Sequence, residues 1–125
     1  MIILLELKVT EHFDSAHYLR EYPGKCRNVH GHTWYIEVVI KGKHLDNTGI
    51  LIDFSDLKEL VRDLIKPFDH QLLNEIAPFD TVNPSSENLA KYFYYEMKKI
   101  LSDKPISLVR VTVSESPTTA ASYYE

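Results

Sequence analysis

The segment Cys26-Arg27-Asn28-Val29-His30-Gly31-His32 constrains this chain more than any other. It runs straight into Thr33-Trp34-Tyr35-Ile36-Glu37-Val38-Val39-Ile40, a β-branched and aromatic stretch that reads as a strand from about His30 to Lys41. Side chains alternate along a strand, so His30 and His32 project from one face. Two neutral imidazoles converging from one face make half of a metal site. His17, in Phe13-Asp14-Ser15-Ala16-His17, is the most natural third ligand. Three nitrogen ligands leave a tetrahedral zinc ion one open position, the catalytic rather than the structural arrangement. Other readings of the same residues stay open. Cys26 closes the site as a fourth, structural ligand, or His12 takes the place of His17, or the histidines are ordinary surface and core residues.

The flanking sequence supplies elements to hold this segment. Residues 2–13 read as a strand, with Leu5, Leu7, Val9 and Phe13 on one side and Glu6, Lys8 and Thr10 on the other. Residues 14–29 lack a period, contain the turn signal Pro23-Gly24, and read as a long loop carrying His17 and Cys26. After turns at 41–43 and 46–49, the apolar stripe Phe54, Leu57, Leu60, Val61, Leu64, Ile65 predicts a helix. Asp53 is its N-cap, Asp56 complements the dipole, and Pro67 ends it. Asn83-Pro84 opens a second helix, with Asn at the cap, whose stripe is Leu89, Tyr92, Phe93, Met97, Ile100, Leu101. A third strand covers 106–114. Glu115-Ser116-Pro117-Thr118 turns the chain, and Ala120–Tyr124 pairs back as a fourth strand. The order ββααββ predicts an α+β fold. It is one domain over residues 1–125, a four-stranded antiparallel sheet with both helices on one face.

Composition narrows the function. Net charge is −4, with both signs interspersed, which argues against a nucleic-acid surface and leaves no basic run to hold a membrane. A single cysteine forbids an internal disulfide and points to a reducing compartment. Met1-Ile2-Ile3-Leu4-Leu5 is too short for a signal-peptide core, so the expected location is the cytoplasm.

Six motifs recur together nearly end to end. They are Phe-x-x-x-His (13–17), Cys-x-x-x-His-Gly-His (26–32), Asp-Phe-x-x-Leu-Lys (53–58), Asp-His-x-x-Leu-Asn (69–74), Asn-Pro-Ser-Ser-Glu-Asn (83–88) and Glu-Ser-Pro-Thr (115–118). In this order the chain resembles the 6-pyruvoyl-tetrahydropterin synthase family, and within it the 6-carboxy-tetrahydropterin synthases of bacteria and archaea. The spacing after the cysteine carries the second distinction. Three residues separate Cys26 from His30, as in the 6-carboxy branch, where the animal 6-pyruvoyl enzymes typically have five.

The resemblance implies the tunnelling fold, closed into a barrel by oligomerisation, with two trimers stacked as a homohexamer and active sites at subunit boundaries. It implies zinc on His17, His30 and His32, and a proton relay of Cys26, Asp69 and His70. Glu115 would anchor the pterin, with the pocket completed near Ser85, Ser86 and Glu87; Ser85 stands where relatives commonly carry Thr. The implied substrate is 7,8-dihydroneopterin triphosphate. The implied products are 6-carboxy-tetrahydropterin, acetaldehyde and triphosphate, feeding deazapurine (queuosine-type) biosynthesis. A 6-pyruvoyl synthase without C–C cleavage is the nearest alternative, and a non-catalytic zinc-stabilised binding module is a further one.

The residue types suit that chemistry. A carboxylate can accept both donors of a pterin edge, its N3–H and 2-amino group, in a charge-assisted pair. A thiolate at Cys26 can take a carbon-bound proton if a neighbouring positive charge stabilises it. Asp69 would orient His70 as carboxylates do in other histidine-centred triads. Sequence neighbours do not easily share a hydrogen bond side by side, so the Asp69–His70 contact is the weakest point of this geometry.

Overall fold

Two long antiparallel strands carry the fold, β1 (Leu5–His17) and β2 (His30–Gly42), paired from Leu5↔Gly42 to His17↔His30. The computed structural model describes residues 4–125; Met1, Ile2 and Ile3, where the expected first strand begins, lie outside the described residues. After β2 come helix α1 (Phe54–Ile65), the short strand β3 (Gln71–Leu72), helix α2 (Ser86–Ile100), β4 (Ser107–Ser116) and β5 (Thr119–Tyr123). The sheet order is β3-β1-β2-β4-β5.

Both helices cover one face of the sheet and share one core. Leu57, Val61 and Ile65 from α1, and Leu89, Phe93 and Met97 from α2, meet Val9, Phe13, Trp34, Ile36, Val38, Val111 and Val113 from the strands. Trp34 is fully buried and stacks on Phe13, with ring centroids 6.3 Å apart. Truncating a side chain this size to Ala costs about 3–5 kcal/mol, because the cavity only partly collapses. Among the described residues no helix is long and apolar enough to cross a membrane.

Local chemistry explains the helix starts. Asp53 caps α1, accepting from the backbone N–H groups of Ser55 and Asp56 as its sequence position predicts. Helix α2 starts later than Asn83-Pro84 suggests. Ser85 is the cap, its Oγ accepting from the Asn88 N–H at 3.2 Å. Asn83 is diverted, because its side-chain amide pairs with the backbone of Arg20.

Three further features depart from the expected layout. β1 continues through His17, so this histidine sits on a strand rather than in a loop. The alternation persists there, but its inward positions are polar: Ser15 donates its hydroxyl to the Phe68 carbonyl, and His17 follows. β4 likewise runs on to Ser116, which places Glu115 on a strand instead of a turn. Finally, the sheet has a fifth member, since β3 pairs in parallel with β1 at Ser15 and Ala16. The sheet is therefore mixed. It is also open within one chain: β5 forms one edge, and β1 is covered by β3 only at its far end.

Candidate functional site

The β1–β2 register builds the histidine cluster. His17 lies directly opposite His30, and His32 lies opposite Ser15. All three fall on the core-facing positions, in line with Phe13 on β1 and Trp34 on β2. The hydrophobic face of the sheet thus ends in three imidazoles. Trp34 closes the floor beneath them, its ring 4.8 Å from His17 and 5.1 Å from His32. One ring nitrogen from each histidine lies within 4.8 Å of the other two.

Backbone carbonyls set the orientation of two rings. The Nδ1–H of His17 donates to the Pro84 carbonyl and that of His30 to the Asn28 carbonyl, each at 2.7 Å. Protons on Nδ1 leave the Nε2 lone pairs free, the second-shell arrangement that prepares imidazole for a metal. Nε2 of His17 and of His32 are buried without a hydrogen-bond partner among the described residues. Buried polar atoms are rarely left so, and a cation bound among them satisfies both at once. The donor set fits zinc, which takes imidazole nitrogens at about 2.0–2.1 Å.

Burial favours the ligand form of two of the rings, His17 and His32. Burial pushes His17 below the usual histidine range, against the opposing effect of the Pro84 carbonyl; the other two imidazoles push it further. Burial also lowers His32, partly offset by Glu115. Neutral imidazole is the form that binds metal.

Glu115 reaches this cluster from β4, its carboxylate 3.7 Å from His32 Nε2. His12 does not: it lies on the opposite face of β1, against Tyr35, with ring centroids 5.5 Å apart. Cys26 sits in a single 3-10 turn, Lys25–Arg27, partly exposed and outside the group of three converging nitrogens. Its carbonyl accepts from the Leu19 N–H at 2.7 Å, which ties the turn back to the end of β1.

Asp69 and His70 make contact, at the point of the expected relay whose geometry is hardest for sequence neighbours. Asp69 Oδ2 lies 2.9 Å from His70 Nδ1. The contact is possible because His70 adopts a left-handed conformation, φ 57°, which swings its ring back toward the preceding residue. A hydrogen bond from the Asp14 N–H, then the His70 contact, hold the Asp69 carboxyl below the usual aspartate range. The pair lies along the outer edge of β1, exposed, and away from the face that carries the three imidazoles. Ser85 spends its hydroxyl on the helix cap; Ser86 and Glu87 form the first turn of α2, directly after the Pro84 that holds His17.

Two asparagines shape the site in a role their sequence positions do not announce: Asn74, a motif residue with no assigned task, and Asn83, expected as a helix cap. Asn74 accepts from the Tyr18 N–H at 3.0 Å and donates to the Tyr18 carbonyl at 2.9 Å. Asn83 does the same for Arg20, at 2.8 and 3.0 Å. Each side-chain amide replaces a neighbouring strand, so the chain just past His17 stays extended without one. Asn74 is 5% exposed, and its mixed surroundings, Gln71-Leu72-Leu73-Asn74-Glu75, give no periodic sign of that burial.

A sequence model of the family described as 6-pyruvoyl tetrahydropterin synthase matches residues 6–125. The chain is 36% identical to the 6-carboxy-5,6,7,8-tetrahydropterin synthase of Bacillus subtilis, over 94% of this chain and 84% of that protein. It is 32% identical to the protein of the same name from Haemophilus influenzae, over 90% of this chain and 94% of the other. The structure of Caenorhabditis elegans 6-pyruvoyl tetrahydropterin synthase superposes with a TM-score of 0.86 at 27% identity, covering 99% of this chain and 97% of that one.

Proposed function

Given that this chain belongs to the 6-pyruvoyl tetrahydropterin synthase family, we propose that it is a zinc-dependent 6-carboxy-tetrahydropterin synthase. It would convert 7,8-dihydroneopterin triphosphate to 6-carboxy-tetrahydropterin, acetaldehyde and triphosphate in the cytoplasm, for deazapurine biosynthesis of the queuosine type. The observation that carries the reading is the trio His17, His30 and His32, with two buried Nε2 atoms left without partners. The names of the curated relatives and the three-residue spacing from Cys26 to His30 favour the 6-carboxy branch.

His17, His30 and His32 would hold the zinc, and Glu115 would stay beside it without replacing a nitrogen. When bound, the metal supplies Lewis acidity that lowers the pKa of hydroxyl groups on the substrate side chain. Glu115 accepts the N3–H and 2-amino donors of the pterin, which fixes the ring and points its side chain inward. Ser85, Ser86 and Glu87, at the start of α2 just after the Pro84 that holds His17, would complete the pterin pocket. Cys26, as thiolate, removes a carbon-bound proton next to the ring. His70 exchanges protons with that centre, and Asp69 keeps its Nδ1 protonated and its Nε2 free to act.

Within one chain the Asp69–His70 pair and the imidazole trio occupy different sides of β1. A site completed by a neighbouring subunit resolves this separation. The long uncovered edge of β1 and the edge of β5 favour such an assembly, because unpaired strand edges are satisfied by closing into an oligomeric barrel. The family resemblance makes that assembly a homohexamer, two trimers stacked together, and this is the active form we propose.

The deciding experiment incubates zinc-loaded protein with dihydroneopterin triphosphate and identifies the products by mass spectrometry. Acetaldehyde with a 6-carboxy pterin supports the proposal. A 6-pyruvoyl product moves the protein to the other branch, and no turnover leaves a zinc-stabilised binding module.

A further inference from the structure

His70 stands in a backbone conformation that a non-glycine residue adopts only when its surroundings impose it. Asp14 supplies most of that imposition. The His70 N–H donates to the Asp14 carbonyl at 2.6 Å, and the Asp14 N–H donates to Asp69 Oδ1 at 2.9 Å. The side chain adds to this. Asp14 Oδ1 accepts from the Thr33 hydroxyl on β2 at 2.6 Å, which fixes the carboxylate on the outer face of the sheet. There, one oxygen of Asp14, one of Asp69 and one ring nitrogen of His70 lie within 4.8 Å of one another. Two carboxylates thus flank one imidazole, and only one of them touches Nδ1.

We propose that Asp14, held by Thr33, is a positioning residue for His70. Its backbone clamps the left-handed turn, and its carboxylate confines the ring to the orientation that meets Asp69. Asp14 takes no proton from substrate in this scheme. The Thr33–Asp14 bond also links the Asp69–His70 pair to β2, one residue past His32, so the proton-moving pair and the metal ligands are braced by the same two strands. The proposal rests on the reading above, in which His70 moves protons.

The test uses the zinc-loaded full chain in two variants, Thr33→Val and Asp14→Asn. Thr33→Val removes only the donor to Asp14, and Val suits an exposed strand position. Asp14→Asn keeps the shape and both backbone bonds but removes the charge. Nitrogen NMR of His70 reports its tautomer without any need for turnover. Wild type is expected to hold one tautomer, with the proton on Nδ1. Both variants should mix tautomers, lower kcat about tenfold and leave KM within about twofold, the size of a lost outer-shell support. Zinc content should stay at the wild-type level, since Asp14 and Thr33 point away from the imidazoles. An unchanged His70 spectrum, or loss of zinc, overturns the proposal. A shifted spectrum with undiminished turnover upholds the positioning by Asp14 and overturns instead the relay role of His70.

Discussion

Asn83→Ala tests how the metal ligands are held. The wild-type amide makes two hydrogen bonds with the Arg20 backbone, at 2.8 and 3.0 Å. Each is worth about 0.5–1.5 kcal/mol net, so their loss should cost about 1–3 kcal/mol. For a chain of 125 residues that lowers the unfolding midpoint by about 4–11 °C. The consequence for the site is larger than the stability figure suggests. Residue 83 precedes Pro84, whose carbonyl accepts the Nδ1–H of His17. Freeing that segment loosens the partner that fixes the tautomer, and zinc affinity should fall about 10–100-fold. The assay pairs thermal unfolding of zinc-free protein, at fixed concentration, with chelator competition for zinc. A lowered midpoint with wild-type zinc affinity would refute the coupling from Asn83 through Pro84 to His17. No change in either would refute the clamp itself.

His30→Ala should abolish stoichiometric zinc binding, because two imidazoles cannot hold the ion against a chelator; retained metal by elemental analysis would dismiss the trio as its site. Cys26→Ala should keep its zinc and lose at least about a hundredfold in kcat, the scale of general-base catalysis; loss of zinc would make the thiol a ligand. The zinc-free protein should lose stability as pH falls below the ordinary histidine value of 6.5. His17 and His32 have lowered folded values, so the unfolded chain binds more protons there; a flat urea midpoint between pH 7.5 and 5 contradicts that burial. Mixing Cys26→Ala with His70→Ala after dissociation and reassembly should restore part of the activity, since some interfaces then pair an intact Cys26 with an intact His70. A mixed oligomer that forms but stays inactive places the relay within one chain.

The chain determines a good deal by local rules alone. Alternation in Thr33–Ile40 makes β2, and that period puts His30 and His32 on one face wherever the strand docks. The stripe from Phe54 to Ile65, capped by Asp53, makes α1 because capping and helical spacing act within a few residues. The two long strands, the two helices and the closing strand pair, with both helices on one face, follow from the same periods; β3, between the helices, does not. Tertiary structure decided the rest, at positions where polar residues take partners far along the chain. The end of β1 looks irregular because Ser15 and His17 point inward, and only contacts with Phe68 and Pro84 make those positions tenable. Asn83 resembles a helix cap, yet the Arg20 backbone, 63 residues away in sequence, claims its amide. His70 meets Asp69 in a left-handed turn whose N–H is bonded to the Asp14 carbonyl on β1, far away in sequence. β3 is two residues long, too short to leave a period, and exists because β1 offers it an edge. Periodicity reports what a residue does for its own element; it carries no record of a hydrogen bond whose other half is supplied by the fold.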